Sequence, residues 1–236
     1  MAAAAAKIQD YAIIGDGRSA ALISKHGSLD GLCWPRFDSA SIFGAIIDPR
    51  IGGRWSIHPV GDSQINRRYV DNTNVLETTF SHSSAKLVLT DFMAVTSEKE
   101  KTRRLWPEHE LIRLIKCEAG EVRVVVEFDP RPDYGRTTPF ITDTGKLGWR
   151  VNVGKNLLNL RSDIKLGANT NGGLSASLTL KVGEALAFSL TFSGESPAVL
   201  TPLGGAVAEK LNLTLDWWQL GCEIQLSRTV RAFRHS

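Results

Sequence analysis

Between residues 174 and 192 the chain alternates apolar and polar side chains with a period of two. Leu174, Ala176, Leu178, Leu180 and Val182 share one side of the pattern, with Ser175, Ser177, Thr179 and Lys181 between them. After Gly183-Glu184 the alternation resumes with Leu186, Phe188, Leu190 and Phe192. Successive side chains of a strand point to opposite faces, so this pattern suits a half-buried strand and not a helix. A two-residue loop opening with glycine between two such runs predicts a β-hairpin with a type II′ turn. One face of it should be buried and the other wet, as in an antiparallel sandwich.

Shorter runs repeat the theme. Leu111–Cys117 and Val122–Phe128 flank a Glu118-Ala-Gly-Glu121 turn. Ala85–Met93, Thr78–Phe80 and Arg54–His58 also alternate, and Gly145-Lys-Leu-Gly148 separates two further short strands. Many short strands with turns between them predict an all-β fold, a large antiparallel β-sandwich spanning residues 9–200. Residues 1–8, an alanine-rich start, read as a frayed tail. Val207, Leu211, Leu215, Trp218 and Cys222 then recur at helical spacing after Thr201-Pro202. That spacing predicts an amphipathic, linker-like helix over 201–222, capped at Thr201-Pro202 and ending near Gly221. A basic tail, 223–236, follows.

Composition narrows the function. The 28 basic and 25 acidic residues give a net charge of +3, too small and too scattered for a nucleic-acid surface. Cys33, Cys117 and Cys222 contain no Cys-x-x-Cys pair, which argues against structural zinc and for a reducing compartment. No apolar run approaches the length that crosses a bilayer as a helix, and the start has no basic leader region. The expected location is the cytoplasm.

Several motifs invite stronger readings. Gly15-Asp-Gly17-Arg-Ser-Ala20 spells a dinucleotide fingerprint, but a short apolar strand follows it where a helix is required, so a β-turn is expected. His109-Glu110 opens a zinc-protease pattern that fails at Arg113. Asp71-Asn-Thr-Asn74 is expected to be an Asx-rich turn. No serine, histidine and aspartate are selected by spacing, and each histidine is read as structural. Trp34, Arg36 and Asp38, together with Arg131, Asp133, Tyr134 and Arg136, supply charged and aromatic groups of the kind that pair with and stack on carbohydrate. An Arg–Asp clamp that only locks the sandwich is the competing expectation. Asp16, Asp30, Asp38 and Asp133 lie near expected loop ends, where four carboxylates suit a hard ion such as calcium. No cofactor is required by the pattern.

The segments Asp10–Ala21, Gly27-Ser-Leu-Asp30, Pro35–Ser39, Gly52-Gly-Arg-Trp-Ser56, Tyr69-Val with Asn74–Thr78, Asp91-Phe-Met93 and Pro130–Arg136 occur in an order that resembles the N-terminal region of bacterial glycoside hydrolase family 15, which includes glucoamylase, glucodextranase and trehalase-like proteins. Gly31 stands where that family usually carries tryptophan, and Ala40 where proline is common. The resemblance implies a β-sandwich joined by a linker helix to a helical barrel that holds two catalytic glutamates. Inverting hydrolysis needs such carboxyls roughly 6.5–9.5 Å apart. No position here matches either glutamate motif. After Cys222 the family's continuation into the barrel is replaced by Ile224–Arg231, which reads as a truncated or frame-shifted sequence.

Three functional expectations follow. The first is a stand-alone, non-catalytic sandwich with weak carbohydrate binding or a role in packing against a catalytic barrel. The second is a small calcium-dependent hydrolase of an ester or lactone. The third is an interaction module for a separately encoded barrel, or a homodimer through the same exposed face.

Overall fold

The computed structural model describes residues 7–82, 84–194, 199–200 and 202–233, with 222–233 described at the level of the backbone. Strands β1 (Tyr11–Gly15), β2 (Ala20–Ser24), β3 (Ser28–Cys33), β4 (Ser41–Phe43) and β5 (Arg54–Pro59) come first. Next are β6 (Gln64–Tyr69), β7 (Leu76–His82), β8 (Ala85–Met93), a short helix α1 (Glu98–Arg103), β9 (His109–Ala119) and β10 (Glu121–Asp129). The remainder is β11 (Ile141–Asp143), β12 (Trp149–Val153), β13 (Asn156–Ser162), β14 (Gly167–Ala168), β15 (Leu174–Lys181), β16 (Ala185–Ser193) and helix α2 (Gly205–Phe233).

Two eight-stranded antiparallel sheets face each other. One runs β1-β2-β3-β5-β10-β15-β14 with β4 beside β3, and the other β11-β12-β13-β16-β9-β8-β7-β6. The all-β sandwich is the fold, with a large shared core that includes Phe43, Trp55, Leu89, Phe128 and Phe188.

The hairpin expected at 174–192 does not form. β15 pairs with β10 and β14 in the first sheet, whereas β16 pairs with β9 and β13 in the second. The chain arches across the sandwich at Gly183, and β9 arches into β10 beside it at Gly120. The two arches are stitched by hydrogen bonds from Val182 N to the Gly120 carbonyl (3.0 Å) and from Gly183 N to the Cys117 carbonyl (2.9 Å). Parity explains the outcome. A two-residue hairpin would set Leu180 opposite Ala187 and Leu178 opposite Ser189, leaving Leu186 and Leu190 on the other face of the ribbon. A one-residue offset moves a whole apolar set to the wrong side. Placing the strands in opposite sheets turns both apolar sets into one interior.

The wet outer face expected for β16 is also absent. Ala187, Ser189, Thr191 and Ser193 are buried. Helix α2 lies over the outer face of this sheet, and Val207, Leu211 and Leu215 close a second cluster with Val75, Phe92, Ile112 and Ala187. Small residues on that face of β16 let the helix approach. The helical spacing is therefore as read, but α2 starts at Gly205, beyond Pro202, and its backbone continues through Gly221 to Phe233. Thr201, the expected cap, lies outside the described residues, as do residues 1–6 of the expected tail.

A charged group sits at the centre of the interior. Asp91 on β8 stands opposite Arg113 on β9 in the ladder, and both side chains are fully buried. Arg113 Nε donates to Asp91 Oδ1 at 2.8 Å, and its other nitrogens reach across the sandwich to the carbonyls of Trp55 and Gly27 (2.7 Å to Gly27). The guanidinium also lies over the Trp55 ring at 5.2 Å. Gly27 has φ +77°, and a Cβ there would come within 2.3 Å of the Ile57 carbonyl. This close turn presents the Gly27 carbonyl to Arg113. Removing one partner of a buried pair strands the other charge, at a cost of about 3–5 kcal/mol. Arg113→Met should therefore lower unfolding stability by about that amount in urea titration. Asp91→Asn, which keeps an oxygen acceptor facing the guanidinium, should cost less.

Candidate functional site

One rim of the sandwich gathers the chemistry that the early sequence segments carry. The Gly15–Ala20 pair closes the β1–β2 hairpin, confirming a turn at Gly15-Asp-Gly17-Arg. Asp16 builds it: its Oδ1 accepts from the amides of Arg18 (2.9 Å) and Ser19 (2.7 Å). The open edge of β1 is held by Tyr69, whose hydroxyl accepts from Ile13 N and donates to Ile13 O, and by Asn74 Oδ1, which accepts from Gly15 N. The Asp71–Asn74 segment is the expected turn, with Asn72 at φ +59°.

Asp16 Oδ2 accepts from His109 Nδ1 at 2.7 Å, and both side chains are almost fully buried. His109 in turn stacks on Trp34 (centroids 5.8 Å apart, 28° between planes), and Phe192 packs edge-on against both rings. Histidine and phenylalanine are register partners across β9 and β16. The aspartate–histidine pair is not completed into a nucleophilic triad through the adjacent serine, because Ser19 Oγ donates to the Cys33 carbonyl at 2.5 Å.

This partition separates two open cavities. The first, about 510 Å³, is lined by Asp16 and Arg18, the segment Ala94–Thr96, Trp106–Glu108, and Trp217 of α2. Beneath it Lys210 of α2 is ion-paired with Glu110, which also accepts from Ser189 Oγ at 2.6 Å. Lys210 lies over the Trp106 ring at 5.1 Å. Burial lowers the Lys210 pKa and Glu110 opposes that shift. Thr214 and Val95 exchange hydrogen bonds, fixing the height of the helix. The second cavity, about 520 Å³, is lined by Trp34, Pro35, Ile42, Phe192 and Val153 below, and by Ser39, Ala40, Asp133, Thr137 and Asn156 around its mouth.

The expected carbohydrate residues are only partly united. Trp34 and Asp133 do line the same cavity. Arg36 and Asp38 form a bidentate pair with each other at 3.0 Å in solvent. Arg131 turns away to Asp129 (2.9 Å) and to the Asn171 carbonyl. Arg136 pairs with Asp133 at 3.5 Å. Tyr134 is exposed, and it hydrogen-bonds Cys33, whose thiol pKa burial raises. Of these pairs Arg131–Asp129 is the one that is mostly buried, whereas Arg36–Asp38 is a local pair in solvent that ties no strands together. Position 31, where the family places tryptophan, is filled from its neighbours: a Cβ on Gly31 would meet Leu22 and Ile46 at 3.0–3.4 Å.

The calcium expectation loses its geometry. Asp16 is committed to its turn and His109, and Asp30 accepts from Tyr11 (2.8 Å) and Ser28 (2.5 Å) inside the first sheet. Asp38 faces Arg36, and Asp133 faces Arg136. Among the described residues no three Asp, Glu, His or Cys side chains form a group able to hold a metal ion.

Burial would raise the Asp16 pKa, but the hydrogen bonds from His109, Arg18 and Ser19 outweigh it and the net shift is downward. A carboxyl lowered on folding adds stability above its unfolded value of about 3.9 and loses it as pH falls through the lower folded value. Asp16→Asn should therefore cost about 1–3 kcal/mol near neutrality. In thermal scans the gap to the parent should hold down to roughly pH 4 and close below it.

Comparison with known proteins follows the same residues. A family model described as trehalase-like, N-terminal, matches residues 1–170. The trehalase of Mycobacterium tuberculosis is 35% identical over 140 residues, 55% of this chain and 20% of that protein. The trehalase of Thermoplasma volcanium is 30% identical over 168 residues, 70% of this chain and 26% of that protein. Trehalase 1 of Sulfolobus acidocaldarius is 29% identical over 209 residues, 87% of this chain and 33% of that protein. A solved structure of a putative kojibiose phosphorylase from human microbiome overlaps at TM-score 0.39 and 10% identity, covering 91% of this chain and 29% of that one; so loose a likeness bears on neither fold nor function. The chain matches a fifth to a third of the length of these trehalases, and it belongs to the trehalase-like N-terminal domain family.

Proposed function

We propose that this domain is the non-catalytic sandwich of a trehalase-type glycoside hydrolase, and that it docks on a helical catalytic barrel through α2 and the adjoining rim. The observation that carries the reading is the family match over residues 1–170 to proteins whose remaining length lies outside the matched stretch. Helix α2 supports it. Its inner face is locked to the sheet by Val207, Lys210 and Thr214, all buried, while Trp217, at the lip of the first cavity, and Leu220 beyond it are exposed. Exposed tryptophan beside leucine is the composition of an interface anchor. Arg104 pairs with Glu209 at 2.5 Å, so the segment after α1 and the helix present one continuous surface.

The cytoplasm is the proposed location. Cys33 and Cys117 carry free thiols, in keeping with a reducing compartment. No helix among the described residues is long and apolar enough to cross a membrane.

The test is reconstitution. The purified chain should show no trehalose hydrolysis. Mixed with the part of Sulfolobus acidocaldarius trehalase 1 outside the matched stretch, it should co-elute from a sizing column. Replacing Trp217 and Leu220 together by Asp should weaken that association at least about tenfold and shift the thermal midpoint of the isolated chain by no more than about 2 °C. Trehalose turnover by the chain unaided would end the non-catalytic reading. Failure to associate, or association indifferent to the double variant, would end the docking one.

A further inference from the structure

The cavity beneath the 131–136 loop has the build of a saccharide site. Its floor is apolar and partly aromatic, from Trp34, Phe192, Ile42 and Val153, and its mouth carries hydroxyl, amide and carboxylate groups on Ser39, Thr137, Asn156 and Asp133. A pyranose has the complementary make-up: C–H faces that pack on rings, and a belt of hydroxyls that must be hydrogen-bonded once water is excluded. The volume, about 520 Å³, is in the range of small-ligand pockets and admits a disaccharide.

Two further observations bear on this cavity. The indole of Trp34, 3% exposed, has an Nε1–H with no hydrogen-bond partner. Leaving a buried donor unmet is unfavourable; the Trp55 and Trp218 indoles share this state, and of the three Trp34 is the one that lines this cavity. The second is the loop itself. Asp133 and Tyr134 both occupy left-handed backbone at φ +54° and +57°, which side chains other than glycine rarely adopt. Ser41 enforces this: its carbonyl accepts from Asp133 N (2.9 Å) and its hydroxyl from Tyr134 N (2.8 Å). Backbone strain held this firmly is typical of ligand clamps, and here it keeps Asp133 at the mouth.

We infer that this cavity binds a short neutral saccharide, with Trp34 and Phe192 as the floor and Asp133, Thr137 and Asn156 receiving the hydroxyls. Charge argues for a neutral ligand. The ionisable groups lining the mouth are one carboxylate, Asp133, already paired with Arg136, and one ammonium, Lys155, too sparse a set of charges to select an anion or a cation. The site lies across the Asp16–His109–Trp34 partition from the cavity beside α2, and its test can be run on the chain alone, so its failure is distinguishable from failure of the docking reading.

The chain has six tryptophans, so the indole region of a ¹⁵N–¹H spectrum is a small set of peaks. Trp34→Phe identifies the Trp34 indole by its disappearance. Titration of the parent chain with trehalose or maltose should move that peak, with a dissociation constant on the order of 1 mM. Ala40→Trp, at an exposed mouth position, should fill the opening and weaken binding at least tenfold, a factor of about 1.4 kcal/mol. Asn156→Ala should weaken it several-fold. Ala40 is exposed and Asn156 half-buried, so the result does not depend on how well a Trp34 substitution folds. Three outcomes overturn the inference: a Trp34 indole peak that stays fixed in tens of millimolar of both disaccharides, an equal response in Ala40→Trp, or the same response to an acyclic polyol such as sorbitol.

Discussion

The guanidinium of Arg113 is what the two sheets are built around. It is fully buried, faces Asp91 on the neighbouring strand, and satisfies two backbone carbonyls on the opposite sheet. Apolar contact alone would let the sheets slide over one another, because dispersion and hydrophobic burial are non-directional. A charge bonded to both sheets has one acceptable position. The 24–27 turn, β5 and the β8–β9 pair are therefore held in a single relative placement. Burial pushes the Asp91 pKa up and Arg113 offsets part of that rise, so the two groups are tolerable here only as a pair.

From that anchor the rim follows along β9. Four positions before Arg113, His109 sits at the strand's start, and the ladder sets it beside Phe192. The hairpin turn at Asp16 and the strand leading to Trp34 come from the other sheet and meet it there. The result is a polar and aromatic wall, with a saccharide-sized cavity on one side and the α2 surface on the other. The outer face of the same strands carries Glu110, which holds Lys210. Alternate residues of β9 thus fix the interior, the rim and the helix in turn, as period-two geometry requires.

Much of this was legible in the sequence. The period-two runs identify strands, and the spacing of Val207, Leu211 and Leu215 identifies a helix, because both signals are local and repeat every few residues. The turn at Gly15–Arg18 was readable for the same reason. The arch at Gly183 could have been read as well: apolar residues are at even positions on both sides of a two-residue loop, a pattern that a hairpin of that length cannot bury. By contrast, the charged residues of the expected saccharide site (Arg36, Asp38, Arg131, Asp133) and of the expected metal site (Asp16, Asp30, Asp38, Asp133) are dispersed among separate partners. Short-range pairing between Arg36 and Asp38, two residues apart, removed both from any shared pocket.

The sequence by itself determined strand, turn and helix identities, and through its ordered motifs the family, since each depends on neighbours within a few positions. Tertiary structure alone decided which sheet each strand joins, that β16 is covered on both faces, and that Asp16 and His109, 93 positions apart, share a proton-bearing contact. Residue types can state that a buried histidine or arginine must find a partner. Which partner it finds depends on distances set by the packing of two sheets, and those distances have no counterpart in linear spacing.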